Sequence, residues 1–467
     1  MGTFLEGEVK ERPGVYHRYE NAGSGRVAQA RNGIGAGIIR ARWGPLNQVV
    51  EMGPTSDVGA VFGSGATEDL ITEMFNGGIS SGKFVRIGSG GSAPAVTIKN
   101  TEDVDAVTIT GAYVGSRPFT VSVKESITGE NKEFMILEGS RVVLSIDFDI
   151  AEDEVPGLVA AINGATKEFG AKEVSGAAGK IAAVTQAAME GGKDPEVDAT
   201  DYSKGLSILE ATTFNCMAVD SEEVPIHALV NAFLTRTYVA GAYPMACVAE
   251  NRSVDLEERI SHAASYNNEM MHMVLNPANS VGGDVADGYR LAARVAGMIA
   301  SVPSNASLTH QIISGYASLA EPLTNTDIVK GIKNGCIILT ENSSSQVWIE
   351  QGINTLITPN AKQDEGFKKI RRVKTRFELM QRIDDTLEVL IGKVNNDTDG
   401  RAALAASGQS VIDRMVSEGK LLPGGTFSED ATKVSEGDYA YFVIAIDDID
   451  SIEKAYLDYK FRFSQTS

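Results

Sequence analysis

The feature that most constrains this fold is the run of the last thirty residues, 438–467. Tyr439–Ile446 is a continuous apolar run with aromatic and β-branched residues, which predicts a strand buried on both faces. Polar turn-forming residues follow, and then the side chains alternate: Leu457, Tyr459, Phe461 and Phe463 on one side, Asp458, Lys460 and Arg462 on the other. Such a strand needs a sheet to pair with, in its own subunit or in a neighbouring one.

A second short extended segment lies near the N-terminus, at Val15, Tyr16, His17, Arg18 and Tyr19. One interpretation is that the two terminal segments pair within one subunit. The other is β-augmentation between subunits, with Tyr441, Val443 and Ala445 of the apolar run as the acceptor strand. Unpaired strand edges invite such additions, so two of them on one chain indicate a polymer.

Composition sets broad limits on what the chain binds. The 467 residues are enough for about three domains, and the formal net charge is −20. That charge disfavours binding to nucleic acid or to an anionic membrane. No apolar run approaches the roughly 18 residues of a membrane span, and no signal peptide is recognisable, so we expect a soluble chain without membrane insertion. Three isolated cysteines predict buried thiols in a reducing compartment.

The order of helix and strand patterns predicts the α/β class, with a mixed, mostly parallel sheet covered by helices. Strands and helices alternate through 26–92 and 197–349, which form one discontinuous core domain. Between them, 93–196 changes to period two with frequent turns, which predicts an inserted all-β sandwich or barrel. The remaining parts are an N-terminal arm (1–25), a C-terminal domain (350–448) and a C-terminal strand arm (449–467).

Motifs for catalysis, cofactors and metals are absent from the sequence pattern. Gly77–Phe84 resembles a phosphate-binding loop, but Phe84 replaces the required hydroxyl and the loop follows a helix, so it predicts a turn. His262 and His272, with Glu269 between them, lack the spacing of metal ligands. We therefore expect no catalytic, cofactor or metal site.

One basic segment stands out in this acidic chain. It contains Lys368, Lys369, Arg371, Arg372, Lys374 and Arg376, within a stretch, 367–377, whose pattern predicts a strand. It is either a solvated strand edge or an electrostatic contact with an acidic partner. Nucleic acid is a weaker third option, because the rest of the chain would repel it.

Several segments, taken in order, are similar to contractile tail sheath proteins of bacteriophages and R-type bacteriocins, of the type found in Gram-positive hosts. They are Arg12–Tyr16, Glu73–Gly78, Phe84–Arg86, Asp201–Tyr202, Gly205–Leu206, Leu209–Glu210, Asn334–Leu339, Glu350–Leu356, the basic segment and the terminal strand. The inserted domain resembles the family only as a β domain.

The resemblance implies a mechanical role without a cofactor. Sheath subunits form six-membered rings stacked helically around an inner tube protein, and their terminal arms add strands to sheets of neighbouring subunits. The C-terminal domain faces the tube, so the basic segment becomes the candidate tube contact. Baseplate and terminator proteins are further partners, and the particle is a virion tail or a bacteriocin assembled in the bacterial cytoplasm.

Two rival functions follow from the residues alone. The first is an enzyme with an α/β nucleotide-binding core and a β insertion, which a nucleotide would stabilise. The second is a monomeric binding protein whose terminal strands pair internally.

Overall fold

The structure is a computed structural model that describes residues 2–3, 16–17, 32–126 and 129–462, with only the backbone for 2–3, 16–17 and 66–68. The chain divides into two compact units. The large unit contains 31–374 and 450–467, and the small unit contains 1–30 and 375–449. The second segment of the small unit begins at residue 375, later than the boundary predicted at residue 350, and the predicted domain limits stay predictions.

The first half of the chain contains the first strands of the central sheet and the strand-rich insertion. Its elements are β1 (Gly2–Thr3), β2 (Tyr16–His17), β3 (Ile34–Ile39), β4 (Val49–Met52), α1 (Val58–Phe62), α2 (Ala66–Asn76), β5 (Ser81–Arg86), β6 (Ala95–Lys99), β7 (Asp105–Gly111), β8 (Phe119–Glu125), β9 (Asn131–Glu138), β10 (Arg141–Asp149), α3 (Val155–Ala165), β11 (Phe169–Glu173) and β12 (Val184–Ala188).

The second half alternates strands and helices and then ends in two long helices and a hairpin of strands. Its elements are α4 (Ala199–Glu210), β13 (Cys216–Val219), α5 (Val224–Val239), β14 (Met245–Ala249), α6 (Leu256–Tyr266), β15 (Met271–Val274), β16 (Ala278–Ser280), β17 (Val285–Ala286), α7 (Tyr289–Ser301), β18 (Tyr316–Leu319), α8 (Asn325–Lys333), β19 (Cys336–Ile337), β20 (Leu339–Glu341), β21 (Val347–Ile349), α9 (Ile370–Glu388), α10 (Thr398–Ser417), β22 (Thr426–Glu429) and β23 (Phe442–Ala445).

A seven-stranded sheet forms the centre of the large unit, in the order β19-β15-β14-β13-β3-β5-β4. All neighbours run parallel except β4, which is antiparallel to β5. Every residue of β13, β14 and β15 is buried, as expected for parallel strands covered on both faces. The predicted mixed, mostly parallel α/β core is confirmed. The three cysteines, Cys216, Cys247 and Cys336, lie fully buried in this sheet.

Helix α7 packs so closely on the end of α2 that their backbones almost touch. A Cβ atom at Gly297 would lie 2.2 Å from the carbonyl oxygen of Met74, and one at Gly77 would lie 2.4 Å from that of Arg294. The Arg294 guanidinium also donates to Glu73 at 2.7 Å. Glycine is therefore required at both positions by the approach of the helices. Of the stretch Gly77–Phe84 that was predicted as a turn, only residues 77–80 connect α2 to β5, because β5 begins at Ser81.

The insertion forms two antiparallel sheets, ordered β10-β9-β8-β12 and β11-β7-β6, around one apolar core. Trp43, which precedes the insertion in sequence, is fully buried in this core and stacks on Phe169 at 5.7 Å between ring centroids. The fully buried Arg86 guanidinium donates to the carbonyl oxygens of Gly44 at 2.7 Å and Val114 at 2.8 Å. Burial lowers the pKa of Arg86 to about 10. The insertion is thus fastened to the end of strand β5.

The small unit has its own apolar core and a buried network of charges. The core residues are Leu379, Ile383, Val411, Ile412, Met415, Leu421 and Phe427. The Arg382 guanidinium forms two hydrogen bonds to Glu418, at 2.8 and 3.0 Å, and also contacts Glu378 at 2.5 Å. Lys420 donates to the same two carboxylates at 2.6 and 2.7 Å.

Glu418 gives this network a pH dependence. Burial raises its pKa, but the hydrogen bonds from Arg382 and Lys420 outweigh burial and lower it to about 2. The folded-state pKa therefore lies below the value of an unfolded glutamate, near 4.3. The contribution of ionised Glu418 to the free energy of unfolding is therefore fully present above about pH 4.3, and it is lost as the pH falls toward about 2.

We expect Gly297→Ala to destabilise the large unit by about 1–3 kcal/mol, because the added methyl forces α2 and α7 apart. Urea unfolding followed by tryptophan fluorescence measures the change. Gly164→Ala, in α3 with open space around its Cβ position, is the control and should be neutral or stabilising by up to about 1 kcal/mol. Equal effects of the two variants would contradict the close contact.

We expect Arg382→Met to destabilise the small unit by about 2–3 kcal/mol, because buried Glu378 and partly exposed Glu418 lose one of the two cations that they share, the other being Lys420. Arg414→Met is the matched control. Arg414 also contacts Glu418, at 3.2 Å, but its side chain is 41% exposed, so its removal should cost about 1 kcal/mol or less. Calorimetric melting of both variants at pH 7 separates the two roles, and a mild effect of Arg382→Met would show that the network is not stabilising.

Candidate assembly surfaces

The C-terminal arm is an exposed extended segment in the part of the chain that the structure describes. Leu457, Tyr459 and Phe461 are 73%, 72% and 81% exposed, and residues 451–462 form no strand or bridge. The predicted alternation is nevertheless present. The rings of Tyr459 and Phe461 stack at 6.2 Å, and Lys460 lies 3.8 Å from Asp458. Three large apolar side chains in water are the signature of an interaction surface. Phe463 lies outside the described residues.

The N-terminal segment is described only at Tyr16 and His17. These two residues form β2 and pair in parallel with Gly2 and Thr3 of β1. Within the described ranges, this short strand therefore pairs with the start of the chain and not with the C-terminal arm. Val15, Arg18 and Tyr19 lie outside the described residues.

The predicted acceptor run forms a shorter and more exposed strand than its composition suggests. β23 pairs antiparallel with β22, and the two make a two-stranded sheet. The prediction that this run is buried on both faces is wrong. Phe442 and Ile446 pack on the core of the small unit, whereas Tyr441 and Val443 are 39% and 45% exposed. A run of apolar residues does not indicate whether a second layer covers it.

The main-chain groups of β23 alternate between its two edges. The carbonyl oxygens of Tyr441 and Asp447 accept from Asp430 and Leu422, on the side of β22. In an antiparallel ladder the intervening residues therefore direct their N–H and C=O groups to the opposite edge. Among the described residues this opposite edge of β23 pairs with no strand. The groups at this edge belong to Phe442 and Ile444. Tyr441, Val443 and Ala445, the predicted acceptor residues, direct their main-chain groups toward β22 and have exposed side chains, and their role as acceptors stays a prediction.

The basic segment is helical, so the prediction of a strand over 367–377 is wrong. A 3₁₀ turn covers Glu365–Lys368, and α9 begins at Ile370. Ile370, Val373 and Phe377 are buried at helical spacing, a signal that the interleaved charges obscured.

Most cations of the basic segment contact other parts of the large unit. Lys374 is buried and its ammonium donates to the carbonyl oxygens of Ile299 and Val302. Lys368 pairs with Glu365 at 2.8 Å and Arg372 with Asp364 at 3.5 Å, while Lys369 pairs with Asp450 at 2.6 Å. Arg371 is buried, and Arg376, in the small unit, is half-buried. The segment is therefore no bare patch of positive charge.

The two histidines considered as metal ligands in the sequence, His262 and His272, have different surroundings. His272 is fully buried in β15, and burial lowers its pKa to about 3. His262 lies 2.9 Å from Glu250. Across the described residues, no three His, Cys, Asp or Glu side chains are grouped as metal ligands. The helices of the described ranges include none long and apolar enough to cross a membrane.

Comparison with known proteins gives a consistent set of relatives. A model of the phage tail sheath protein central domain matches residues 196–355, which contain most of the parallel sheet. The phage-like element PBSX protein XkdK of Bacillus subtilis is 23% identical over 486 aligned residues, covering 98% of each chain.

Solved structures share the fold over nearly the whole chain. The sheath tail protein of Desulfitobacterium hafniense has a TM-score of 0.73 at 19% identity, with 93% of this chain and 100% of that chain covered. The helical sheath of the anti-feeding prophage, in its contracted state, has a TM-score of 0.55 at 9% identity, with 97% and 99% covered. The chain is therefore similar to phage tail sheath proteins in its central domain, residues 196–355, and shares the fold of solved sheath proteins over nearly its whole length.

Proposed function

We propose that this chain is the structural subunit of a contractile tail sheath, in which six-membered rings stack helically around an inner tube. Neighbouring subunits are joined by strand addition, with the C-terminal arm of one copy on the outer edge of β23 in the next. The observation that carries the proposal is the exposed, alternating apolar face of Leu457, Tyr459 and Phe461.

The C-terminal arm and the outer edge of β23 offer matching main-chain groups and apolar side chains. The arm offers unpaired main-chain groups and an apolar row, and β23 offers an unpaired edge at Phe442 and Ile444 beside the exposed side chains of Tyr441 and Val443. Main-chain hydrogen bonds would supply affinity, and the side-chain rows would fix the register. A contact between two different surfaces of one chain builds an open helix of subunits.

Contraction is a rearrangement of the compact units while the strand links hold neighbouring subunits together. Energy for it is stored in the extended assembly, and the subunit has no catalytic role. Its further partners in this proposal are the inner tube, the baseplate and a terminator. The particle is a virion tail or a bacteriocin assembled in the bacterial cytoplasm.

The tube contact is retained as a proposal in narrower form. Of the six predicted cations, Lys368 and Arg372 keep 30% and 25% of their side chains exposed, and both belong to the large unit. Arg371 and Lys374 are buried and are removed from the contact surface.

The strand addition is tested by cross-linking two differently tagged copies, one with Phe461→Cys and the other with Val443→Cys. We expect a disulfide between copies under mild oxidation, because adjacent strands bring facing Cβ atoms to about 4.5–5.5 Å. Tyr459→Cys, two residues earlier on the same face, covers the neighbouring register. The three native cysteines are buried and leave the readout clean.

The control for this experiment replaces Val443→Cys with Val104→Cys, an equally exposed position in the insertion. Cross-linking to position 443 should exceed that to position 104. Equal yields would refute strand addition at β23, and removal of residues 455–467 without loss of assembly would refute the arm itself.

For the tube contact, we expect Lys368→Glu with Arg372→Glu to weaken co-sedimentation with the tube at low salt, where electrostatic contacts are strongest, and to leave self-association unchanged. The control reverses Lys99 and Lys124, two exposed cations of the insertion that also pair with acids. Tube binding of the test variant equal to that of the control would assign the contact to other residues.

A further inference from the structure

The root of the C-terminal arm, residues 450–453, is held in an unusual way. Ile452 is 92% exposed, whereas the side chain of the next residue, Glu453, is only 7% exposed. Apolar side chains are normally buried and carboxylates normally exposed, so this arrangement is inverted. The inversion requires partners that compensate the buried charge.

Ser451 Oγ, within the root itself, donates to the Glu453 carboxylate at 3.3 Å, and four side chains from elsewhere in the large unit also donate to it. Ser307 Oγ lies at 3.3 Å, Thr309 Oγ1 at 3.1 Å, Gln351 Nε2 at 3.0 Å and Lys369 Nζ at 3.4 Å. They come from three separate stretches of the large unit. Ser307 and Thr309 lie in the loop after α7, Gln351 lies two residues after the end of β21, and Lys369 directly precedes α9. We call these four residues the Glu453 socket.

Lys369 contacts both acids at the root. Its ammonium lies 2.6 Å from Asp450 and 3.4 Å from Glu453. Burial raises the pKa of Glu453, but the hydrogen bond from Gln351 and the charge of Lys369 outweigh it, so the pKa is lowered. Burial also opposes ionisation of Asp450, and the hydrogen bond from Lys369 again lowers its pKa. Both acids are therefore charged at neutral pH, with Lys369 in contact with both and Arg372 also lowering the pKa of Asp450.

We propose that the Glu453 socket fixes the root of the C-terminal arm, with Lys369 as its positioning residue, so that the arm leaves the large unit at one defined point. This inference rests on the proposed strand addition and goes beyond it, because the socket lies away from the strand contact itself. The segment free to move then starts at Lys454, where every described residue is exposed.

A fixed root assists assembly by limiting the volume that the arm searches. Freeing residues 450–453 lengthens the mobile tether and lowers the effective concentration of the arm at its acceptor. It also adds residues that must be ordered when the arm binds. The socket thus orders the root of the arm before the arm binds its acceptor. Through Lys369, the basic segment contributes to this contact within the subunit.

The test uses Lys369→Met in the full-length chain, with the Phe461→Cys and Val443→Cys pair on separate copies as the readout. We expect the cross-linking rate between copies to fall about tenfold or more, and amide hydrogen exchange to accelerate in a peptide covering 450–453. Lys330→Met is the control, because it removes a half-exposed cation of the large unit that takes part in no proposed contact and breaks its pair with Glu257. Both variants should melt at the same temperature within error.

Two further variants separate charge from packing at the socket. Lys369→Arg keeps the cation and should restore most of the cross-linking rate. Glu453→Gln keeps the shape of the side chain but removes the charge, and should slow cross-linking as Lys369→Met does. A general loss of folding would appear as a lower melting temperature in Lys369→Met than in Lys330→Met, and would overturn a role confined to the arm.

The remaining outcomes distinguish the two proposals. Faster exchange at 450–453 with an unchanged cross-linking rate, or no change in either, overturns the positioning role while strand addition stands. Absence of cross-linking in the chain with an intact socket overturns strand addition itself, and this inference with it.

Discussion

The large unit depends on burial of its parallel sheet on both faces. Strands β13, β14 and β15 expose none of their residues, so helices must cover the sheet completely. Ten consecutive residues of α7, from Leu291 to Ala300, are buried to achieve this, and glycines let α7 approach α2. The ends of this rigid layer then become attachment points. Arg86, the last residue of β5, holds the insertion through its hydrogen bonds to Gly44 and Val114. The loop after α7 supplies two donors of the Glu453 socket.

The parts of the fold that the sequence predicts well are those with one dominant periodicity. The apolar runs of β13 and β14 are correctly predicted as buried strands, and period two locates β6 to β10 in the insertion. The prediction of a strand for the basic segment was wrong because charged residues dominate its composition. The buried residues Ile370, Val373 and Phe377 nevertheless recur at helical spacing. Long cationic side chains can be buried when their ends reach carbonyl or carboxylate oxygens, as Lys374 does.

The candidate assembly surfaces were predictable only in outline. Alternation along Leu457, Tyr459 and Phe461 follows from the sequence and is present in the structure. Which edge of β23 is unpaired depends on main-chain direction, which side chains do not encode. The Glu453 socket joins residues separated by more than 140 positions, from Ser307 to Glu453. Such long-range contacts lie beyond any local pattern.

Charge distribution explains why strand addition suits this chain. With a formal net charge of −20, two copies repel each other at long range, and much of the positive charge is occupied internally by pairs such as Arg382 with Glu418. Main-chain hydrogen bonds and apolar side chains do not depend on net charge. In the proposed strand addition they would allow like-charged subunits to associate without a network of surface ion pairs, for which this chain has few cations.

The burial of the three cysteines has a consequence for durability. A particle that leaves a bacterial cell moves from reducing to oxidising surroundings. Cys216, Cys247 and Cys336 have no solvent-exposed surface, and burial raises the pKa of Cys216 and Cys336 to about 12, so the reactive thiolate is scarce. Oxidation outside the cell would therefore create no disulfides between subunits through these thiols, and a sheath held in its loaded state for long periods would not be locked by them.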